Sequence, residues 1–127
     1  MIKDFLIINF TGKNDSIGLR VNNNFFVKKI QTNIRNNGLL VNNIFALIKE
    51  KKANIDKNFS VIVNIGPGSF TGIRISLAIA KGIKIVKGTK IYGYKNSHLV
   101  EFNLKNIELL IQENLIENNL IKPIYLS

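Results

Sequence analysis

The chain has 127 residues, of which 46% are hydrophobic and 20% are charged, a composition typical of one folded domain and not of a disordered chain. It contains no cysteine, which excludes disulfides and thiolate metal sites. No apolar run reaches the roughly 18–20 residues that a membrane span needs. The N-terminus does not resemble a signal peptide. We therefore expect a cytoplasmic protein with no membrane partner.

The formal net charge is +10, and sixteen of the 18 basic residues lie in 1–96. A basic surface attracts nucleic acid because binding releases counterions. A lysine-rich composition would raise the isoelectric point without any nucleic-acid partner. The lysines are scattered along the chain, which favours this simpler interpretation. Lys81, Lys84 and Lys87 form a local group at the end of a predicted helix and are the candidate nucleic-acid contacts.

The first part of the chain predicts three strands in a row. Residues 5–10 form a nearly continuous apolar run, typical of a strand buried on both faces. Residues 16–21 alternate between apolar and polar or small side chains, and residues 25–30 supply a third strand. The intervening Asn22-Asn23-Asn24 suits a tight hairpin, since asparagine tolerates a positive φ. These features predict an antiparallel meander.

Beyond residue 38, segments with helical spacing of apolar residues alternate with short strand-like segments. We predict helices over 39–52, 71–87 and about 104–118, and strands over 60–65 and 91–94. The resulting order, β-β-β-α-β-α-β-α, is that of a ribonuclease-H-like α/β domain with a mixed five-stranded sheet.

Amide side chains end the two strands whose carboxyl ends carry the metal ligands in a ribonuclease-H-like nuclease. Asn9 ends the first strand and Asn64 the fourth. An amide brings no negative charge and cannot replace a carboxylate as a Mg²⁺ ligand at similar affinity. His98 is the sole histidine and has no carboxylate triad, so we predict no catalytic residue and no metal site.

A glycine-rich turn joins the fourth strand to the second helix. Its motif residues are Gly66, Pro67, Gly68, Ser69 and Thr71. Two interpretations compete: a phosphate cradle, or a stiff turn that presents the helix to a partner. The turn lacks the Lys-Ser/Thr end of a P-loop, and its hydroxyls are better explained as helix caps. We favour the second interpretation.

The helix after this turn carries small residues at every fourth position, namely Gly72, Ser76 and Ala80. Such a ridge permits close approach of another helix. Large apolar residues flank the ridge on both sides, which favours a second burying surface outside the domain. The alternative is that the first helix covers the ridge internally.

The run Gly66-Pro67-Gly68-Ser69-Phe70-Thr71-Gly72-Ile73-Arg74-Ile75, followed by Ala80-Lys81-Gly82, resembles the signature of the TsaB family, also called YeaZ. The ending Lys122-Pro123-Ile124-Tyr125-Leu126-Ser127 is similar to that family's closing motif, with Ser127 in place of an arginine. The resemblance implies an actin/Hsp70-like fold with ribonuclease-H-like lobes. It also implies the non-catalytic partner of TsaD in synthesis of N6-threonylcarbamoyladenosine (t6A) on tRNA.

The resemblance further implies that the first two helices dock onto TsaD in a heterodimer, or pair with themselves in a homodimer. The candidate interface residues carried over by position are Leu39, Leu40, Ile44, Phe70, Gly72, Ile73, Ser76, Leu77 and Ala80. The resemblance also implies a TsaE-type ATPase as a further partner. We expect tRNA to be reached indirectly through the complex, with Lys81, Lys84 and Lys87 as candidate direct contacts.

Residues 1–127 are expected to form one TsaB-like N-terminal lobe, with 97–127 as a remnant helix and tail in place of a second lobe. Nucleotides bind between two lobes in this superfamily, so we expect no cofactor. The alternatives are a nucleotide- or tRNA-binding module that uses the Gly66–Gly72 turn and the basic surface, or a functionally degenerate paralogue.

Overall fold

A computed structural model describes residues 2–31, 37–113 and 116–117. The strands and helices follow one another as β1 (Phe5–Asn9), β2 (Ser16–Val21), β3 (Asn24–Lys29), α1 (Asn37–Glu50), β4 (Ser60–Asn64), α2 (Phe70–Lys87), β5 (Lys90–Tyr94), α3 (Leu104–Gln112) and β6 (Ile116–Glu117). A short 3-10 helix, Asn96–His98, lies between β5 and α3.

The strands form a single mixed sheet in the order β3-β2-β1-β4-β5-β6. The first three strands pair antiparallel as a meander, and β4 and β5 add parallel to β1. The predicted α/β ribonuclease-H-like topology is therefore confirmed.

The end of the described chain differs from the prediction. The third helix ends at Gln112 and not near Asn118, and Ile116 and Glu117 form β6. These two residues pair antiparallel with Tyr94 and Gly93 of β5. Pairing gives partners to backbone groups that β5 would otherwise leave at the edge of the sheet. The predicted extended tail, 122–126, lies outside the described residues.

Two hydrophobic clusters lie on the two faces of the sheet. On one face, Leu6 and Ile8 of β1 pack with residues of α1 and α2. On the other face, Phe5 and Ile7 pack with Tyr94 and with apolar residues of α3. This period-two division of β1 explains its continuous apolar sequence, because both of its faces are buried.

Residues with a positive φ close the predicted turns. Asn22 and Asn23 have φ values of 52° and 66° in the β2–β3 hairpin, as predicted. Gly88 ends α2 in the left-handed conformation, and its N–H donates to the carbonyl oxygen of Lys84 at 2.8 Å. Within the described ranges, no helix is both long and apolar enough to cross a lipid bilayer.

Candidate functional site

The glycine turn uses its backbone N–H groups inside the chain. The N–H of Gly66 donates to the side-chain oxygen of Asn64 at 2.9 Å, and that of Ser69 to the carbonyl oxygen of Thr11 at 2.7 Å. The N–H of Gly72 donates to the Ser69 hydroxyl at 3.3 Å, which makes Ser69 the helix cap that the sequence predicts. Three donors that a phosphate cradle would direct at a ligand are therefore occupied.

The turn also packs directly on the end of β1. A Cβ on Gly68 would lie 2.6 Å from the Cβ of Thr11 and 3.0 Å from its carbonyl oxygen. A side chain cannot occupy that space without moving the backbone, so glycine is required for close approach at this point. The contact fixes where the turn begins α2.

Three asparagines join the carboxyl ends of the parallel strands. The side-chain nitrogen of Asn64 donates to the side-chain oxygens of Asn9 at 3.0 Å and Asn96 at 3.1 Å. The Thr11 hydroxyl donates to the same Asn9 oxygen at 3.1 Å. The Asn9 nitrogen in turn donates to the carbonyl oxygen of Asn14 at 3.1 Å. This amide network connects the edge of the sheet to the glycine turn through Asn64.

Asn9 and Asn64 occupy the positions at which a ribonuclease-H-like nuclease would hold metal ions, and here both belong to the amide network. Both side-chain atoms of Asn9 and Asn64 already have partners, and neither residue carries a charge. Across the described part of the chain, no group of three His, Cys, Asp or Glu residues could hold a metal ion. His98 is exposed at the end of the 3-10 helix, as expected for a surface histidine.

Tyr94 lies at the same edge and is buried. Its hydroxyl has no well-formed hydrogen-bond partner among the described residues. Burial raises the pKa of Tyr94, and the neighbouring Asn64 side chain offsets that rise only in part. The phenol therefore stays protonated at neutral pH.

The small-residue ridge of α2 faces the interior of the domain. Gly72, Ile73, Ser76, Leu77 and Ala80 are all buried, and Ser76 donates its hydroxyl to the carbonyl oxygen of Gly72 at 2.9 Å. This burial corrects the interpretation that the ridge is open to a partner helix. The alternative holds, because the sheet and α1 cover the ridge within the chain.

The remaining candidate interface residues divide between core and surface. Leu40 and Ile44 are fully buried and Leu39 is half-buried, whereas Phe70 is 49% exposed. The guanidinium carbon of Arg74 lies 5.0 Å from the centre of the Phe70 ring. In the described structure, docking by α1 and α2 would therefore use side chains other than most of those carried over by position.

An apolar groove runs between α1 and α2 on the surface. It has a volume of about 590 Å³, and Val41, Phe45 and Ile48 of α1 face Ile79 and Val86 of α2 across it. Phe45 is 52% exposed and Val86 is 76% exposed. We call these residues, together with Gly82, the helix groove. Residue spacing alone did not assign Phe45 and Val86 to a surface, although both lie on apolar stripes of the predicted helices.

The three lysines proposed as nucleic-acid contacts, Lys81, Lys84 and Lys87, are all exposed on α2. Thr71 of the glycine motif is exposed as well, whereas Gly66 and Gly68 are buried.

Solved structures resemble this chain, among them the following two. YeaZ from Pseudomonas aeruginosa superimposes with a TM-score of 0.69 at 14% identity, over 88% of this chain and 50% of that one. The chain has a YeaZ-like fold. A second structure, an uncharacterized protein with similarity to peptidase YEAZ from Pseudomonas aeruginosa, gives a TM-score of 0.66 at 15% identity, over 87% and 49% of the two chains.

The YeaZ-like fold is established by shape and not by overall sequence. No protein-family model and no curated protein matches the chain. The chain spans about half the length of each of these two structures. The activity and partners of a whole YeaZ protein are therefore a matter of proposal for this chain.

Proposed function

We propose that this chain is a non-catalytic scaffold subunit that docks through α1 and α2 onto a TsaD-type catalytic subunit. In that role it supports t6A synthesis on tRNA in the cytoplasm. The observation that carries the proposal is the exposed helix groove, which lies on the two helices that the TsaB-like motif implicates.

The helix groove has the chemistry of a protein contact. Each large apolar side chain left in water forgoes about 1.5–3 kcal/mol of burial. Phe45 and Val86 leave most of that gain unused, because they are 52% and 76% exposed. Contiguous exposed apolar surface of this kind marks interaction sites on soluble proteins. A partner helix laid along the groove would bury both residues.

The glycine turn supports the scaffold role indirectly. Three of its N–H donors and its Ser69 hydroxyl serve the fold, so the turn orients α2 and offers little to a phosphate. The hydroxyl of Thr11 is likewise committed to Asn9. Among the described residues, neither hydroxyl is shown bonded to a base of the kind that nucleophilic catalysis requires.

We propose a heterodimer as the working form, in which residues 1–127 act as a single TsaB-like lobe. The TsaE-type ATPase would join through the TsaD-type subunit, and tRNA would be presented by the complex. A homodimer through the same groove is the competing state, since a second copy offers a similar apolar surface.

The test is co-purification with the TsaD-type subunit of the same organism after coexpression. Val86→Glu places a charge in the groove, and Phe45→Glu does so from the opposite wall. Both variants should abolish co-purification while the isolated chain remains folded. Val100→Glu is the matched control, because Val100 is 95% exposed and lies outside the groove.

Co-purification of the two groove variants at the wild-type level would overturn the assignment of the interface. Failure of the wild-type chain to bind any TsaD-type subunit, with the chain folded, would overturn the proposed function itself. A t6A assay on the coexpressed pair distinguishes a working scaffold from a degenerate paralogue.

A further inference from the structure

The topology gathers basic residues at one end of the domain. The parallel strands β1, β4 and β5 begin at this end, and α1 and α2 finish there. We call this end the basic pole. It carries half of the chain's 18 basic residues, namely Lys3, Arg20, Lys49, Lys51, Lys52, Lys57, Lys84, Lys87 and Lys90.

Contacts connect these residues into one surface. The Cβ of Lys57 lies 3.9 Å from the position that a Cβ on Gly88 would occupy, directly after Lys87. The backbone N–H of Lys90 donates to the carbonyl oxygen of Phe59 at 3.1 Å. On the other side of β4, the Arg20 guanidinium donates to the carbonyl oxygen of Lys3 at 3.1 Å. Segments distant in sequence are thus brought together at this end of the domain.

The charge at the basic pole is largely uncompensated. The acids in the same segments are Asp4, Glu50 and Asp56. Within the described residues, the one ion pair in this set joins Lys51 to Glu50 at 3.6 Å. A carboxylate oxygen of Asp56 accepts the backbone N–H of Asn58 at 2.8 Å. Seven of the nine basic residues are exposed, and two, Arg20 and Lys51, are half-buried.

We propose that the basic pole binds the phosphate backbone of structured RNA, a choice of nucleic acid that rests on the proposed function in tRNA modification. Clustered lysines without bidentate arginine pairs bind phosphates as point charges and carry little sequence information. The driving force is release of counterions, which gives a steep dependence on salt. The site includes Lys84 and Lys87 but not Lys81, which lies six residues before the end of α2 at Lys87.

RNA fits this surface better than an anionic membrane does. Stable membrane binding adds apolar insertion to charge attraction. None of the large apolar side chains that the described residues expose lies in 51–59 or 88–90, which form the tip of the pole. Ile85 and Val86, which are 85% and 76% exposed, lie beside Lys84 and Lys87 at one edge of the pole, and Val86 also lines the helix groove. A phosphate backbone requires only the charges that the tip supplies.

The experiment measures the dissociation constant of the full chain for a fluorescein-labelled tRNA transcript over a series of salt concentrations. The variant is the triple change Lys57→Gln, Lys87→Gln and Lys90→Gln. The control is Lys13→Gln, Lys29→Gln and Lys95→Gln, three exposed lysines at the opposite end. Each triple removes the same charge from the net value of +10, so only position differs.

We expect the pole triple to weaken binding about tenfold or more and to reduce the slope of log K against log salt by about two to three. The control should weaken binding by less than about threefold. Equal losses in both triples would overturn the site, since net charge alone would then explain binding. Binding to phosphatidylserine vesicles without binding to RNA would overturn the choice of ligand. The isolated chain suffices, so failure here leaves the docking proposal intact.

Discussion

The two halves of α2 differ in how much of their surface the rest of the chain covers. The first half begins at a turn in which three N–H donors, the Ser69 cap and the Gly68 packing contact are internal, and its small residues are buried. The second half exposes Ile85 and Val86 at 85% and 76%, and Gly82 has no neighbour within 4 Å of an added Cβ. The turn therefore serves the fold, whereas the second half of α2 leaves apolar surface exposed. This contrast indicates that contacts with other molecules are made by the second half of the helix.

The largest expected effect comes from adding a side chain at the glycine turn. Gly68→Val should destabilise the fold by about 2–3 kcal/mol or prevent folding, because overpacking of this kind typically costs 1–3 kcal/mol. The clash is with Thr11, whose Cβ lies 2.6 Å from the new Cβ. Urea unfolding measures the loss. A midpoint equal to that of the wild type would show that the turn is not fixed against β1.

Breaking the amide network should have the next largest effect. Asn64→Leu removes two donors and one acceptor at once and leaves Gly66 N–H and the Asn9 oxygen with fewer partners. Buried polar groups left unsatisfied cost about 1–3 kcal/mol each, so we expect a loss of about 2–3 kcal/mol in unfolding free energy. Asn103→Ala is a useful comparison, since it removes a helix cap worth about 1 kcal/mol away from the network. Equal losses would contradict a special role for the network.

A side chain added in the second half of α2 should have the opposite sign. Gly82→Ala should stabilise the chain by about 0.5–1 kcal/mol, because alanine favours a helix interior and finds open space. The measurement is the same urea midpoint. Destabilisation would mean that the helix groove is closed in solution, and the contrast between the halves would fail.

The smallest effect concerns Tyr94 and appears mainly at alkaline pH. Its pKa is raised by burial, so the unfolded state ionises first and stability falls as pH rises above the ordinary tyrosine range. Tyr94→Phe should change stability at neutral pH by less than about 1 kcal/mol, because the hydroxyl has no well-formed partner. It should also reduce the alkaline loss. An undiminished alkaline loss in the variant would assign that titration to other groups.

Local chemistry allowed most of the fold to be predicted from the sequence. The hairpin asparagines and the Ser69 cap are each determined by a few neighbouring residues, and both are found as predicted. The two-residue β6 could not be predicted, because its pairing with β5 is a long-range contact with no periodic signal of its own.

The site was predicted less completely. Helical spacing identified the ridge at Gly72, Ser76 and Ala80 but could not show which side of an almost wholly apolar helix is buried. The contact between Asn9 and Asn64 could be predicted from the sequence, because both residues end parallel strands and therefore meet at one edge of the sheet. The part played by Asn96 depends on the 3-10 helix that follows β5, which the sequence does not mark.

The most direct test of the docking account is hydrogen–deuterium exchange of this chain with and without the TsaD-type subunit. Slowed exchange reports the backbone that a partner protects. We predict protection over 41–48 and 79–87, the two walls of the helix groove, with little change over 66–72. Protection confined to 66–72, with the groove segments unchanged, would contradict the account. It would indicate that the partner contacts the glycine turn and not the helix groove.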